Sequence, residues 1–473
     1  MKPKGWHFEL QHTELASGGE SYVGLVRDAE GKARLRLPYG YRLDQGESKE
    51  ACLGQLSRVL ARFARSYPRE RRSEREGYLS DAEGRREQTD GPPELGYAKL
   101  ASLVELIRRL GDPQLLALVR IPGLAAGFDE RHISRNLERA VYLPDHTPYF
   151  ETMWARPPQM RQTRNDLVGL ACWIALDALR HLFPGAMDEE IAPNLLEEWE
   201  TLAARFADSQ HLSQDASLFG NGHEATLPHI QDALAAITRT EPPVHAQARE
   251  LAELLGSILH YSANAGGGEI FGLKGFYRVW EAACLEYALE EFGAARILSC
   301  DHELLDSVSA PQRQLWTDAR RQICAWNGMA RRPDLIVRLD DGRLLLIDFK
   351  YSSAYAEESF FKRRPQKPGT QHQPANRLAW LKFCEELKLH QDIANLESYR
   401  WLLMQRHLRN ADESLVETQI WIPAQQDSQR HCAWQTWDKS LHLPDTGYRQ
   451  LSVRGVPAAT ILRHYARKFT LFS

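Results

Sequence analysis

The chain has 473 residues, 43% of them hydrophobic and 26% charged, which excludes a wholly disordered polypeptide. Its 59 Lys and Arg stand against 63 Asp and Glu, so the net charge of -4 gives no overall attraction to nucleic acid, and any such contact needs a local patch. Seven scattered cysteines without a CxxC pair exclude a disulfide framework and a zinc ribbon, and fit a reducing compartment.

Length suggests about three domains. The start, MKPKGWHFELQ, has no apolar leader. The longest apolar run, 167–176, is ten residues closed by Asp177, too short for a bilayer. The expectation is a cytoplasmic protein without a membrane span.

Residues 1–45 read as strand-rich, through WHFEL, SYVGLVRD and KARLRLPYGY, with Glu30-Gly31 as a turn signal. Helical spacing follows over 49–67 through Leu53, Leu56, Leu60 and Phe63. Thirteen of the 22 residues in 69–90 are charged, of both signs, which reads as a solvated linker. An arginine-rich arm on phosphates is the alternative, weakened by the interleaved Glu residues. This closes a first region, 1–90.

Residues 91–265 read as a helical scaffold or docking domain. Helices are expected over 97–110, 166–182, 192–206, 227–237 and 244–261, punctuated by prolines. His223-Glu224 reads as a loop and helix start, without a second metal-ligating His. The triplet Gly266-Gly267-Gly268 marks a joint, and no Lys-Ser or Lys-Thr follows at P-loop spacing. The third region is 266–473.

The chemistry lies in that third region. A helix over 276–292 places Tyr277, Glu281, Leu285, Ala288 and Phe292 on one arc. Glu281 is the one charge on that arc, with Glu286, Glu290 and Glu291 expected at more exposed positions. A carboxylate among apolar neighbours needs a partner, and a metal ion would be one. Two strands follow, 333–339 and 343–350, joined by the hairpin signal Asp340-Asp341-Gly342. The second strand is apolar on both faces until its end, where Asp348 and Lys350 share one face. Counting back through the hairpin sets Asp334 opposite Asp348, with Cβ atoms roughly 4.5–5.5 Å apart. Two carboxylates that close repel unless a cation lies between them, and Mg²⁺, or Mn²⁺ in its place, suits oxygen donors. Lys350 beside them could act on an attacking water or on charge developing at a phosphate.

Pro333-Asp334, thirteen residues, then Asp348-Phe349-Lys350 resembles the PD-(D/E)xK nuclease superfamily. The strings YRVWE, RRPDLIVRL and LLLIDFKYSSAY are similar to McrC-like and LlaJI-like (DUF2357-type) restriction nuclease subunits. The resemblance covers about the last two-fifths of the chain. It implies an α/β fold with a restriction-endonuclease-like C-terminal core, beside the mainly helical middle and the small strand-rich N-terminal region. The core order would be helix 276–292, strands at 296–299, 333–339 and 343–350, helix 375–389 and strand 399–406. It also implies catalytic roles for Glu281, Asp334, Asp348 and Lys350, the three acids holding metal. Gln371 and Gln373 are accessory candidates.

A basic cluster, Lys362, Arg363, Arg364 and Lys367, follows the site and is a candidate for DNA phosphates. The reading is a Mg²⁺-dependent DNA endonuclease, the nuclease subunit of a bacterial restriction or anti-phage system. No Walker motif is present, so translocation would need an AAA+ NTPase or helicase partner, as the resemblance implies. The alternatives are a catalytically silent DNA-binding or bridging subunit of an NTPase complex, and a repair or recombination nuclease.

Overall fold

Alternation in ARLRL buries Ala33, Leu35 and Leu37 while Arg34 and Arg36 lie nearer solvent. This is one strand of a four-stranded sheet in a computed structural model. The described residues are 8–12, 22–27, 33–66, 95–112, 120–122, 135–150, 160–162, 166–240, 246–264, 269–302, 308–326, 329–330, 333–352, 377–408, 415–433 and 450–472, apart from single positions, and also 115 and 305.

The first sheet combines β1 (Phe8–His12), β2 (Tyr22–Arg27), β3 (Ala33–Leu37) and β4 (Glu269–Lys274), in the order β1-β3-β2-β4. Thus β4, from beyond the glycine triplet, pairs antiparallel with β2. Helix α1 (Lys49–Ser66) buries Leu53, Leu56, Leu60 and Phe63, as the spacing predicts. It packs on α2 (Leu95–Leu110).

Four further helices build the middle: α3 (Asp166–Leu182), α4 (Pro193–Ser209), α5 (His223–Thr240) and α6 (Ala246–Asn264). Each expected helix is present, α3 with the same ends. Helix α3 is buried along almost its whole girth and meets α2, α4, α5 and α6. Asp177, inside it, is buried but fully engaged. It accepts from Ser217 Oγ at 2.8 Å and from the backbone N–H groups of Leu218 at 2.7 Å and Phe219 at 3.3 Å, and pairs with His181 at 3.0 Å. The carboxylate therefore pins segment 217–219 to the helix.

The second sheet has six strands. They are β5 (Ile297–Cys300), β6 (Leu335–Arg338), β7 (Leu344–Phe349), β8 (Val416–Ala424), β9 (Ser428–Ala433) and β10 (Gln450–Pro457), in the order β9-β10-β8-β7-β6-β5. Strands β7, β8 and β10 run parallel, whereas β5, β6 and β9 are antiparallel to their neighbours. Helix α7 (Tyr277–Phe292) precedes β5, α8 (Ala310–Cys324) separates β5 from β6, and α9 (Arg377–Arg406) separates β7 from β8. Helix α10 (Ala458–Arg467) follows β10. The architecture is mixed α/β.

One expected element is corrected. Residues 399–406 are the last turns of α9, not a strand, and the strand after that helix is β8. Ile393, Leu396 and Leu403 repeat at helical spacing and are buried against the sheet, which extends the helix through YRWLLMQR. The segment VETQIWIPA has the nearly unbroken burial of a central parallel strand.

A continuous apolar cluster runs from Phe8 to Leu471, so the three regions expected from the sequence, 1–90, 91–265 and 266–473, share one core. A smaller cluster lies on the other face of the second sheet, where Ile336, Leu344 and Leu346 meet Ile393, Leu396 and Leu403. Cys52, Cys172, Cys284 and Cys300 are buried thiols outside any disulfide. Among the described residues, no helix is long and apolar enough to cross a membrane.

Candidate functional site

Strand β7 is buried at all six positions. Leu345, Ile347 and Phe349 enter the large cluster on one face, and Leu344 and Leu346 enter the small cluster on the other. A strand committed on both faces has one free end, and that end carries Asp348 and Lys350. The hairpin before it closes through Gly342, at φ 87°, with the Leu339 N–H donating to Arg343 O at 2.8 Å.

Register then aligns the acids. Leu335 faces Ile347 between β6 and β7, and faces Cys300 between β5 and β6. One step outward, Asp334 therefore lies between Asp348 on one side and Asp301 on the other. The Asp301 N–H donates to Asp334 O at 3.1 Å, which continues the ladder to that point. Three carboxylates stand abreast at the ends of three adjacent strands. The sequence places two of them. Asp301 follows the apolar run ILSC, and pairing that strand with the Asp334 strand is the signal that would have found it.

The side chains are tightly coupled. Asp334 accepts from the Phe349 N–H at 2.7 Å, and its carboxyl and that of Asp348 each act on the other's ionisation. Lys350 Nζ is 2.9 Å from Asp348 Oδ2 and 3.3 Å from Asp392 Oδ1. Asp392 belongs to α9, three residues past the end expected for that helix, and is the second residue missed. Arg320 of α8 lies 3.8 Å from Asp301.

Glu281 reaches the same charge group from α7. Burial pushes its carboxyl up to about 7, Lys350 opposes the rise, and the charges of Asp301 and Asp348 add to it. Asp334 is held well above the usual carboxylate range by burial first, then by Asp348 and Glu281. Asp348 is also raised by burial, against the pull of Lys350. The buried thiol of Cys284 is raised by burial and by the charges of Glu281 and Asp334, which places it beside the acids. Four sequence-predicted residues, Glu281, Asp334, Asp348 and Lys350, thus interact as one electrostatic group.

Two expectations meet different outcomes. Glu286, expected at a more exposed position, is fully buried. Arg62 Nη2 lies 2.8 Å from its Oε1 and Lys468 Nζ lies 2.7 Å from its Oε2. The reason is that α7 is covered on two sides, by the sheet and by α1 and α10, which closes over the arc that carries Glu286. Gln371, Gln373, Lys362, Arg363, Arg364 and Lys367 lie outside the described residues.

The donor set suits a hard divalent cation. Glu281, Asp334 and Asp348 offer carboxylate oxygens that resist ionisation, through burial first and then through neighbouring charge, which a dication would relieve. Among the described residues, no three His, Cys, Asp or Glu side chains form a ready metal cage. Lys350 offsets part of this negative charge through its ion pair with Asp348. No family model matches the chain, and no curated protein matches it.

Proposed function

We propose that the protein is a Mg²⁺-dependent DNA endonuclease with a restriction-endonuclease-like core, working as the nuclease subunit of a bacterial restriction or anti-phage system with an NTPase partner. One observation carries the reading: Asp334 and Asp348 meet across adjacent strand ends, with Lys350 in contact and Glu281 in the same field. The element order α7, β5, β6, β7, α9, β8 supports it, since it follows the order that the sequence resemblance implies, with α8 inserted.

In this reading Glu281, Asp334 and Asp348 would hold the cation. A bound Mg²⁺ would supply Lewis acidity and a more acidic water ligand. The Phe349 N–H fixes one oxygen of Asp334, which leaves the other to meet a cation. Lys350 presents an ammonium to the same point, where it can donate to the attacking water or to a non-bridging phosphate oxygen as negative charge builds. The partial burial of the group strengthens each of these interactions.

The test is cleavage of plasmid DNA by the purified protein, alone and with an NTPase encoded beside it, in Mg²⁺ or in EDTA. Cutting that needs Mg²⁺, is lost in Asp348→Ala and falls to a measurable residual rate in Lys350→Ala supports the proposal. Equal cutting by wild type and both variants removes the site.

A silent bridging subunit is the second reading. In it the ion pairs of Lys350 with Asp348 and Asp392 would be structural ties. Retention of biological protection by Asp334→Ala would select it.

A further inference from the structure

The Lys350 ammonium has two carboxylate partners of different kinds. Asp348 is expected to hold the cation, whereas Asp392 approaches from α9, on the far side of the ammonium's contact with β7. The two distances, 2.9 Å and 3.3 Å, place Lys350 between them. Asp392 is also held firmly. Its neighbour Ile393 and nearby Leu396 are buried in the small cluster beneath β7, so this turn of α9 is anchored to the sheet. The Asp392 side chain is itself only 14% exposed.

These contacts have a consequence on metal binding. A carboxylate oxygen turned to a dication is a poorer partner for an ammonium. A lysine stem is flexible, and losing one of two anchors would release it. We propose that Asp392 is a positioning residue that keeps the Lys350 ammonium at the strand end when Asp348 engages the cation. This rests on the nuclease reading above. Asp392 acts through Lys350 and contributes neither to cation binding nor to DNA affinity.

The experiment compares full-length wild type with Asp392→Asn, Asp392→Glu, Lys350→Ala and the double variant Lys350→Ala/Asp392→Asn. Each is assayed for plasmid cleavage in Mg²⁺, and Mg²⁺ binding to each is measured by calorimetry without DNA. A partner one step removed from the reacting atoms should matter by about 10–100-fold. The expected result is a kcat loss of that order in Asp392→Asn, with KM for DNA and the Mg²⁺ dissociation constant unchanged. Asp392→Glu should recover part of the loss. In the Lys350→Ala background, Asp392→Asn should cost nothing further. Wild-type kcat in Asp392→Asn overturns the proposal while leaving the nuclease reading intact. Weakened Mg²⁺ binding in Asp392→Asn also overturns it, by making Asp392 a ligand. A further loss in the double variant overturns it as well. A wild-type protein that neither binds Mg²⁺ nor cuts DNA removes the nuclease reading and this inference together.

Discussion

The backbone N–H of Tyr39 donates to the phenolic oxygen of Tyr351 at 2.7 Å, joining residues 312 positions apart. Tyr351 directly follows Lys350, and its ring lies 5.5 Å from Phe276 and 6.3 Å from Trp280 between centroids. One residue on from Tyr39, Gly40 has φ 74°, and a Cβ there would lie 2.8 Å from the backbone of Pro423. The N-terminal turn is thus seated on the ends of β7 and β8, the strands beside the acids.

Gly40→Ala should destabilise the protein by about 1–3 kcal/mol, because an L side chain at this φ is strained and also meets backbone. Tyr351→Phe should cost about 1 kcal/mol, through the Tyr39 N–H left without its acceptor. Urea unfolding of both variants measures this. Both should also lower cleavage, and a Gly40→Ala protein of wild-type stability would contradict the seating described.

Stability without metal should fall as pH rises. The Glu281 carboxyl has an ordinary value of 4.5 and is raised to about 7 in the fold. The folded state therefore binds the proton more tightly than the unfolded chain, and that stability is present below 4.5 and lost as pH rises through 7. Mg²⁺ should compete with that proton, so its affinity should rise with pH and level off above about 7. Melting temperatures in EDTA and in Mg²⁺ between pH 5 and 8, on the order of one unit apart, follow both curves. Glu281→Gln should flatten each.

Arg62→Ala should cost about 3–5 kcal/mol, since it strips one cation from a fully buried Glu286. Arg62 also donates to Tyr465 O at 3.0 Å, and its guanidinium lies 4.2 Å from the Tyr465 ring centroid. The loss should appear in chemical denaturation. A joint replacement of Arg62, Glu286 and Lys468 by apolar residues should recover much of it, because such a trio costs desolvation as well as gaining attraction.

Asp177→Ala should cost about 2–5 kcal/mol, from buried donors of Ser217 and Leu218 left without an acceptor. His181 provides the pH signature. Burial lowers its affinity for a proton, but the hydrogen bond and charge of Asp177 outweigh this and raise it above 6.5. The pair therefore adds stability below pH 6.5 that is lost as pH climbs through the higher folded value. His181→Gln should remove that part of the pH dependence, read by thermal unfolding.

Much of the site was legible because it depends on local rules. The hairpin at Asp340-Asp341-Gly342 sets register by counting, and register brings Asp334 to Asp348. Two-sided burial of β7 was visible as an unbroken apolar run. Asp301 and Asp392 were not legible in the same way. Each reaches the site by pairing or packing between distant segments, which no count along one hairpin supplies. Glu286 was misplaced for a related reason. Spacing shows which residues share an arc, but it does not show that a helix is covered on two sides. The helix through residue 406 was cut short because the implied core order set a strand at 399–406, where Leu396 and Leu403 continue the helical spacing.

The burial of Glu286 bears on how this protein is made. Its two cations come from residue 62 and residue 468, one translated long before α7 and one 406 positions after the first. A nascent chain that has already threaded the acid-bearing strands still lacks Lys468 and the Tyr465 carbonyl that orients Arg62. The helix bearing Glu281 is clamped on its rear side only when that last stretch leaves the ribosome. Biosynthesis thus completes the support behind the acid-bearing helix last, and a fragment starting at residue 266 would keep Lys468 but lose Arg62, half of the brace on Glu286.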